Sequence, residues 1–457
     1  MEQDILLGKN PWWKGKEYFH DDEDYKKWKE KKIKWEPRLK DEIGLDAFAL
    51  HFLFGPRQVG KTTTIKLIIE KLLKDEKIKP EQIFYFRCDE LKDYKELHEV
   101  LEAYFSFREQ LNIKNSYIFL DEITFADEWF RTIKAWIDEG KFKSDVVLIS
   151  GSATLEIKKH REYFPGRRGK GRNYILYPLS FREFIKIMSE EIYAKLESIS
   201  SLKEEEIKEK SAKLFAHLVE LNKSFALYLK IGGFPLAINS YAENKGISLS
   251  VKETYTSWIK SDLAKIGRDT AIAREIIKSM INKIPSPMSW EGIAKETSIK
   301  SPKTINAYIH IFEEIFLLAI SNYIDLNTLT AKFGKNKKIH LADPIFYELF
   351  EEWCLINIKD KENKKAENIL AYHLLRFAKE TKLFDGEVFY WQNNSEIDVI
   401  LRSKDKACGF EVKWANNVKP ARLMIGKMKD VYTLSKYTCN IKEKVIPLSI
   451  LLALLDV

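Results

Sequence analysis

Eight residues near the start of the chain have the types and spacing that hold a triphosphate. Gly55-Pro56-Arg57-Gln58-Val59-Gly60-Lys61-Thr62 fits GxxxxGK[ST]. Glycines let the backbone curl so that successive N–H groups point at phosphate oxygens. A helix opening at the end of the loop turns its positive N-terminus to the same oxygens. Lys61 then reaches the β- and γ-phosphates, and the Thr62 hydroxyl, with Thr63 beside it, meets Mg²⁺. The second half of this chemistry follows in Tyr117-Ile118-Phe119-Leu120-Asp121-Glu122. Four apolar residues predict a buried central strand. The acids fall at its C-terminal end, where open α/β sheets bind ligands. Asp121 is expected to hold Mg²⁺ through water, and Glu122 to polarise the attacking water. The pair of motifs predicts that ATP and Mg²⁺ are bound and that ATP is hydrolysed.

Two further groups of residues could complete that site. Val146-Val147-Leu148-Ile149-Ser150 reads as another buried strand, and Ser150, Ser152 and Thr154 place hydroxyls where a γ-phosphate or a water could be sensed. A plain polar strand end accounts for them equally. Arg161, Arg167, Arg168 and Arg172 crowd the next loop. One of Arg167, Arg168 or Arg172 is expected to stabilise transition-state charge, within the chain or across a subunit interface. The sequence does not choose among them, and a basic loop is often only solvated.

A separate constellation lies near the C-terminus: Glu367, Asp398, Glu411 and Lys413. Asp398 stands in Ile397-Asp398-Val399-Ile400-Leu401, and the other two in Gly409-Phe410-Glu411-Val412-Lys413-Trp414. On a strand, Glu411 and Lys413 share one face. Two acids beside a lysine can hold Mg²⁺ and activate water for phosphodiester cleavage. The arrangement resembles the PD-(D/E)xK nuclease site, with Glu367 on the preceding helix as an extra ligand. A structural ion pair between Lys413 and one acid would use the same residues.

The elements that must position these groups alternate. Strands are predicted at Ala47–Phe54, Gln82–Cys88, Ser116–Leu120, Val146–Ser150 and Asn173–Tyr177, with helices between them. That alternation implies a parallel sheet covered on both faces. The division expected is an N-terminal aromatic and basic arm over 1–40, a P-loop core over 41–185, a helical subdomain over 186–270, a winged-helix-like module over 271–335 and an α/β domain over 336–457. The arm carries Trp12, Trp13, Trp28 and Trp35, read as aromatics that dock on the body rather than stack on single strands. Gly232-Gly233-Phe234-Pro235 interrupts the helical region as a sharp turn. Ser301-Pro302 marks a helix N-cap followed by Pro at the first position.

GPRQVGKTT, FLDEI, LISGSAT, YPLSFREF, GGFP, ADPIFYELF and a late EID…EVK pair occur in one order along residues 38–430. This order resembles the AAA-like ATPases of archaea and bacteria. In that family an ATPase core precedes a C-terminal domain of unknown function with a restriction-endonuclease-like fold. The resemblance implies ATP binding and hydrolysis and leaves the biological role open. The fold class expected is α/β: a P-loop NTPase sheet, a helical subdomain, a winged helix and a PD-(D/E)xK-like domain.

Composition sets outer limits. A chain of 457 residues exceeds one hydrophobic core. Net charge is +8 from 76 basic and 68 acidic residues, a mild excess that permits DNA contact without demanding it. The helix from Pro302 carries Lys303, Asn306, Tyr308 and His310 but also Glu313 and Glu314, so a protein partner or a second copy suits it as well as DNA. Cys88, Cys354, Cys408 and Cys439 form no CxxC pair and read as reduced thiols of a cytoplasmic protein. No apolar stretch reaches the roughly 18–20 residues that cross a membrane.

Overall fold

Apolar runs of five or six residues become the strands that carry the nucleotide motifs. A computed structural model describes residues 3–151, 164–382, 384–421 and 425–457. Its chain divides into two units, Met1–Tyr177 and Pro178–Val457. In the first unit, β1 (Ala49–Phe54), β2 (Ile83–Arg87), β3 (Tyr117–Asp121), β4 (Val146–Ser150) and β5 (Asn173–Ile175) form one sheet. Its order is β2-β3-β4-β1-β5, with every neighbouring pair parallel. β1 and β4 are buried along their whole length, as strands covered on both faces must be. Because β4 lies between β1 and β3, its last residue stands between the loop leaving β1 and the acids ending β3.

β2 is an edge strand, and an open edge would template pairing with another chain. Residues of the N-terminal arm close it with side chains. The indole N–H groups of Trp12 and Trp13 both donate to the Ile83 carbonyl, at 3.0 and 2.9 Å. The backbone N–H of Tyr85 donates to Asn10 Oδ1 at 2.7 Å. Trp13 also stacks on Phe107 and Tyr104, with centroids 4.7 and 5.8 Å apart. Trp12, Trp13, Trp28 and Trp35 are all buried, so these rings serve packing and are covered against bases.

In the second unit, helices run from Phe181–Met188 through Leu249–Lys265, followed by Thr270–Ile281, Trp290–Glu296 and Pro302–Glu314. The Ser301 hydroxyl accepts from Thr304 N–H at 3.3 Å, the cap its sequence signals. The strands are β6 (Leu318–Asp325), β7 (Thr330–Ala331), β8 (Lys337–Leu341), β9 (Phe389–Gln392), β10 (Glu396–Arg402), β11 (Ala407–Lys413), β12 (Met428–Ser435) and β13 (Val445–Pro447). They form one sheet, β13-β12-β11-β10-β9-β6-β7, with β8 on β6.

That order corrects an expected boundary. β6 pairs with β8 through five residues and also pairs in parallel with β9 at Asn322 and Tyr323. A division at 335/336 therefore cuts through hydrogen-bonded strands. The pairing of β6 with β9 joins residues far apart in sequence, which no local pattern announces.

Two sequence motifs meet in this unit. Buried Asp343 accepts from the Gly233 and Ile345 N–H groups, at 2.8 and 2.9 Å. A Cβ on Gly232, whose φ is +78°, would stand 2.0 Å from Asp343 Oδ1. The turn needs glycine both for its backbone and for this approach.

Candidate nucleotide site and the C-terminal carboxylate cluster

The loop after β1 curls through Gly55 at φ +146° and Gly60 at φ +103°, and Gln58 also takes positive φ. A Cβ at Gly55 would meet the Leu176 carbonyl oxygen at 2.3 Å, so only glycine lets the loop pass that close to the backbone after β5. Pro56, Arg57 and Val59 complete the turn, and Val59 is fully buried. The Lys61–Lys74 helix opens directly from Gly60. Lys61 is 7% exposed, and its ammonium donates to the carbonyls of Gly55 and Pro56, both at 2.9 Å. The loop thus holds the lysine across its own mouth, where phosphate oxygens would compete for the same protons.

Asp121 is the point on which the motifs converge. Thr62 Oγ1 donates to its Oδ2 at 2.6 Å, and Tyr85 OH reaches the same oxygen at 3.3 Å. Ser150 Oγ and the Glu122 N–H donate to Oδ1. A buried carboxylate persists when it is satisfied in this way. Thr62 and Asp121 present adjoining oxygen donors, which fit a hard cation that keeps its waters and shares substrate phosphates. Glu122 follows with φ +54° and ψ +35°, a left-handed conformation uncommon outside glycine and often found at functional sites. It turns the second acid out of the strand while Asp121 stays in it. Thr63 is half-buried in the first helical turn.

Three residues here escaped sequence reasoning. Lys66 is buried against Asp22 of the arm at 2.8 Å, and its ammonium lies 3.2 Å from the centroid of the Tyr85 ring. Burial lowers the Lys66 pKa, opposed by Asp22. Burial and the nearby Asp121 raise that of Tyr85. Asp22, Lys66 and Tyr85 thus join the arm to Asp121. The only available signal was a lysine on the apolar face of the helix.

The arginines lie elsewhere. Arg167 pairs with Asp138 at 2.6 Å. Arg168 Nε donates to the Leu50 carbonyl, with its guanidinium 4.8 Å from the centroid of Phe52. The Arg172 N–H donates to His51 Nδ1 at 3.0 Å. Leu50 precedes the phosphate loop by five residues, about 16 Å of strand at roughly 3.3 Å each. The structure does not bring these arginines to the Thr62–Asp121 centre within the chain. Ser152, Thr154 and Arg161 lie outside the described residues.

With this geometry in place, comparison with known families is informative for one segment. Residues 48–185 match the family model of an AAA domain. This segment is an AAA-type P-loop ATPase domain. Residues 222–348 match a domain of unknown function (DUF8612), which runs across the boundaries expected at 270 and 335. No curated protein matches the chain. Among solved structures, the chain is similar to a Walker-type ATPase of Pyrococcus abyssi at 12% identity and TM-score 0.41, over 68% of this chain and 94% of that one. It is similar also to the Aeropyrum pernix ORC2 protein in ADPNP–ADP complexes, at 11% identity and TM-score 0.36, over 70% and 90%.

The C-terminal constellation is assembled differently from its expectation. Glu367 and Asp398 do come together, but around an ammonium group. Lys338 of β8, 1% exposed, lies 2.9 Å from Glu367 Oε1, 3.0 Å from Asp398 Oδ1 and 2.7 Å from Glu396 Oε1. The other oxygen of Asp398 accepts from Val412 N–H at 2.8 Å. Lys413 pairs with Glu411 at 3.1 Å. Burial and the neighbouring Asp398 push the Glu367 carboxyl up to about 8, and burial raises that of Glu411. Among the described residues no group of three or more His, Cys, Asp or Glu side chains is placed to hold a metal. Lys338, from a strand outside the motif, stands among Glu367, Glu396 and Asp398, and its single charge offsets part of theirs.

Proposed function

We propose that the chain is an ATPase that binds ATP with Mg²⁺ and couples its hydrolysis to a change of conformation. The convergence of Thr62, Ser150 and Tyr85 on Asp121 beside the phosphate loop carries this reading. When bound, the metal would supply positive charge against the charge developing on the phosphates. Thr62 and Asp121 would hold it, Lys61 would leave its two carbonyls for the β- and γ-phosphates, and Glu122 would take a proton from the attacking water.

The remaining parts are read as follows. The helices from Thr270 to Glu314 with β6 and β8 act as a winged-helix module. Met288 and Lys337 support this by exchanging backbone hydrogen bonds of 2.8 and 2.9 Å, as a short first strand would. The sheet from β9 to β13 serves as an endonuclease-like scaffold. The ammonium of Lys338 among its acids favours a scaffold over a metal-dependent nuclease. Free thiols at Cys88, Cys354, Cys408 and Cys439 suit a cytoplasmic setting.

Nucleotide affinity and turnover, measured separately, test the central reading. Lys61→Ala should lose ATP binding. Glu122→Gln should bind ATP yet hydrolyse it about 100-fold or more slowly, as removal of a general base does. Turnover by Glu122→Gln at the parent rate would show that another group activates the water.

A further inference from the structure

A cleft in the second unit is unused by anything described above. Its volume is about 820 Å³, and it lies between the Pro302–Glu314 helix on one side and β6, residues Gly386–Val388 and the end of the Lys361–Thr381 helix on the other. Lys303, Asn306 and His310 line it at helical spacing, while Ile305, Ile309 and Phe312 of the same helix face the core. The polar face of the helix is thus one wall of the cleft.

The lining is chemically mixed in a particular way. Lys303, Lys337 and Lys379 bring ammonium groups. Among the described residues Lys303 and Lys379 make no hydrogen bond or ion pair. Asn306 and Asn322 offer amide donors and acceptors that likewise have no partner among the described residues. Trp290 and Phe333 supply rings, and Phe333 is 68% exposed. Glu313 and Glu387 offset part of the positive charge. That balance suits a ligand whose charges are spaced, one per unit, better than a compact polyphosphate.

Cations for phosphates, amides for base edges and flat rings for stacking together describe an unpaired strand. Duplex recognition makes a different demand. A reading helix must stand clear of its own protein to enter a major groove about 12 Å wide. Here Lys303, Asn306 and His310 share one cleft with Leu375, Lys379 and Val388, so the polar face has protein opposite it. The volume falls within the range of about 300–1,000 Å³ that takes small ligands, room for a few nucleotides in single file.

We infer that this cleft binds a short stretch of single-stranded nucleic acid, held by Lys303, Lys337 and Lys379 and stacked on Trp290 and Phe333. The inference rests on the winged-helix reading only in expecting that the Pro302–Glu314 helix meets nucleic acid.

Fluorescence anisotropy of the full chain, without nucleotide and over a series of salt concentrations, tests it. The probes are labelled oligo-dT, labelled oligo-rU, a DNA duplex of equal length and a poly-glutamate peptide. Either unpaired oligonucleotide should bind more tightly than the duplex, and the better of the two identifies the sugar. Lys303→Ala with Lys379→Ala should reduce the slope of log K against log salt by about 1.4, since each contact to a single strand contributes about 0.7. Phe333→Ala, whose ring is exposed and dispensable to the core, should weaken binding by about 5- to 150-fold if a base stacks on it. Basal ATP turnover should not change in either variant. Duplex binding as tight as single-strand binding, variants that bind like the parent, or binding of the peptide alone would each overturn the inference. Turnover with no oligonucleotide binding would fail the cleft and leave the ATPase reading standing. Oligonucleotide binding with no turnover would do the reverse.

Discussion

Replacing Lys338 by Met tests whether an ammonium group holds the C-terminal acids together. The parent places one buried cation among Glu367, Glu396 and Asp398, all within 3.0 Å. Met has nearly the same length and no charge, so packing changes little. Breaking a buried ion pair from one side costs about 3–5 kcal/mol, because the partner charge is left uncompensated. The cost should depend on pH with a definite sign. Even beside the lysine, the Glu367 carboxyl is pushed up to about 8, above its ordinary value. A folded-state carboxyl raised in this way binds protons more tightly than the unfolded chain does. It therefore lowers stability as pH rises from the unfolded carboxyl range toward the folded value. Without Lys338 the Glu367 carboxyl should be raised further and the slope should steepen. We expect the full loss at pH 8 and less than half of it at pH 5. Urea titration of the full chain, with hydrogen exchange at the Val412 amide as local probe, reads both. Mg²⁺ or Mn²⁺ should raise the stability of Lys338→Met and leave the parent unmoved, since only the variant offers vacant carboxylates. An equal loss at both pH values, or a loss below about 1 kcal/mol as for an exposed pair, would refute the assignment.

Other consequences concern the first unit. Asn10→Ala leaves the Tyr85 N–H on the edge strand without its acceptor and should cost about 1–3 kcal/mol. Urea unfolding measures that loss, and light scattering should show increased self-association through the opened β2 edge. Tyr85→Phe removes one of four donors to Asp121. It should cost about 0.5–1.5 kcal/mol in stability while leaving ATP affinity within a few-fold of the parent in a titration with a fluorescent nucleotide.

The nucleotide half of this protein is legible in its sequence because its chemistry is local. Gly55 to Thr62 are contiguous, and one loop with one helix start is the whole phosphate cradle. Four apolar residues before Asp121 suffice to place that acid at a strand end, since side-chain period and burial are short-range properties. Other decisions belong to tertiary structure. Strand order put Ser150 beside Asp121 by inserting β4 between β1 and β3. That the arm's aromatics dock was legible in sequence, but that Trp12 and Trp13 cap the Ile83 carbonyl on the β2 edge was decided by the tertiary structure. Long-range pairing of β6 with β9 brought Lys338 to Glu367, Glu396 and Asp398, a contact that no local spacing announces. Arg168 and Arg172 show the same limit, since their backbone runs beside Phe48 to Phe52 of the chain leading into and along β1. Spacing along the chain specifies contacts within a few residues. Which distant charge fills a carboxylate pocket depends on strand pairing, and that is decided by burial summed over the whole sheet.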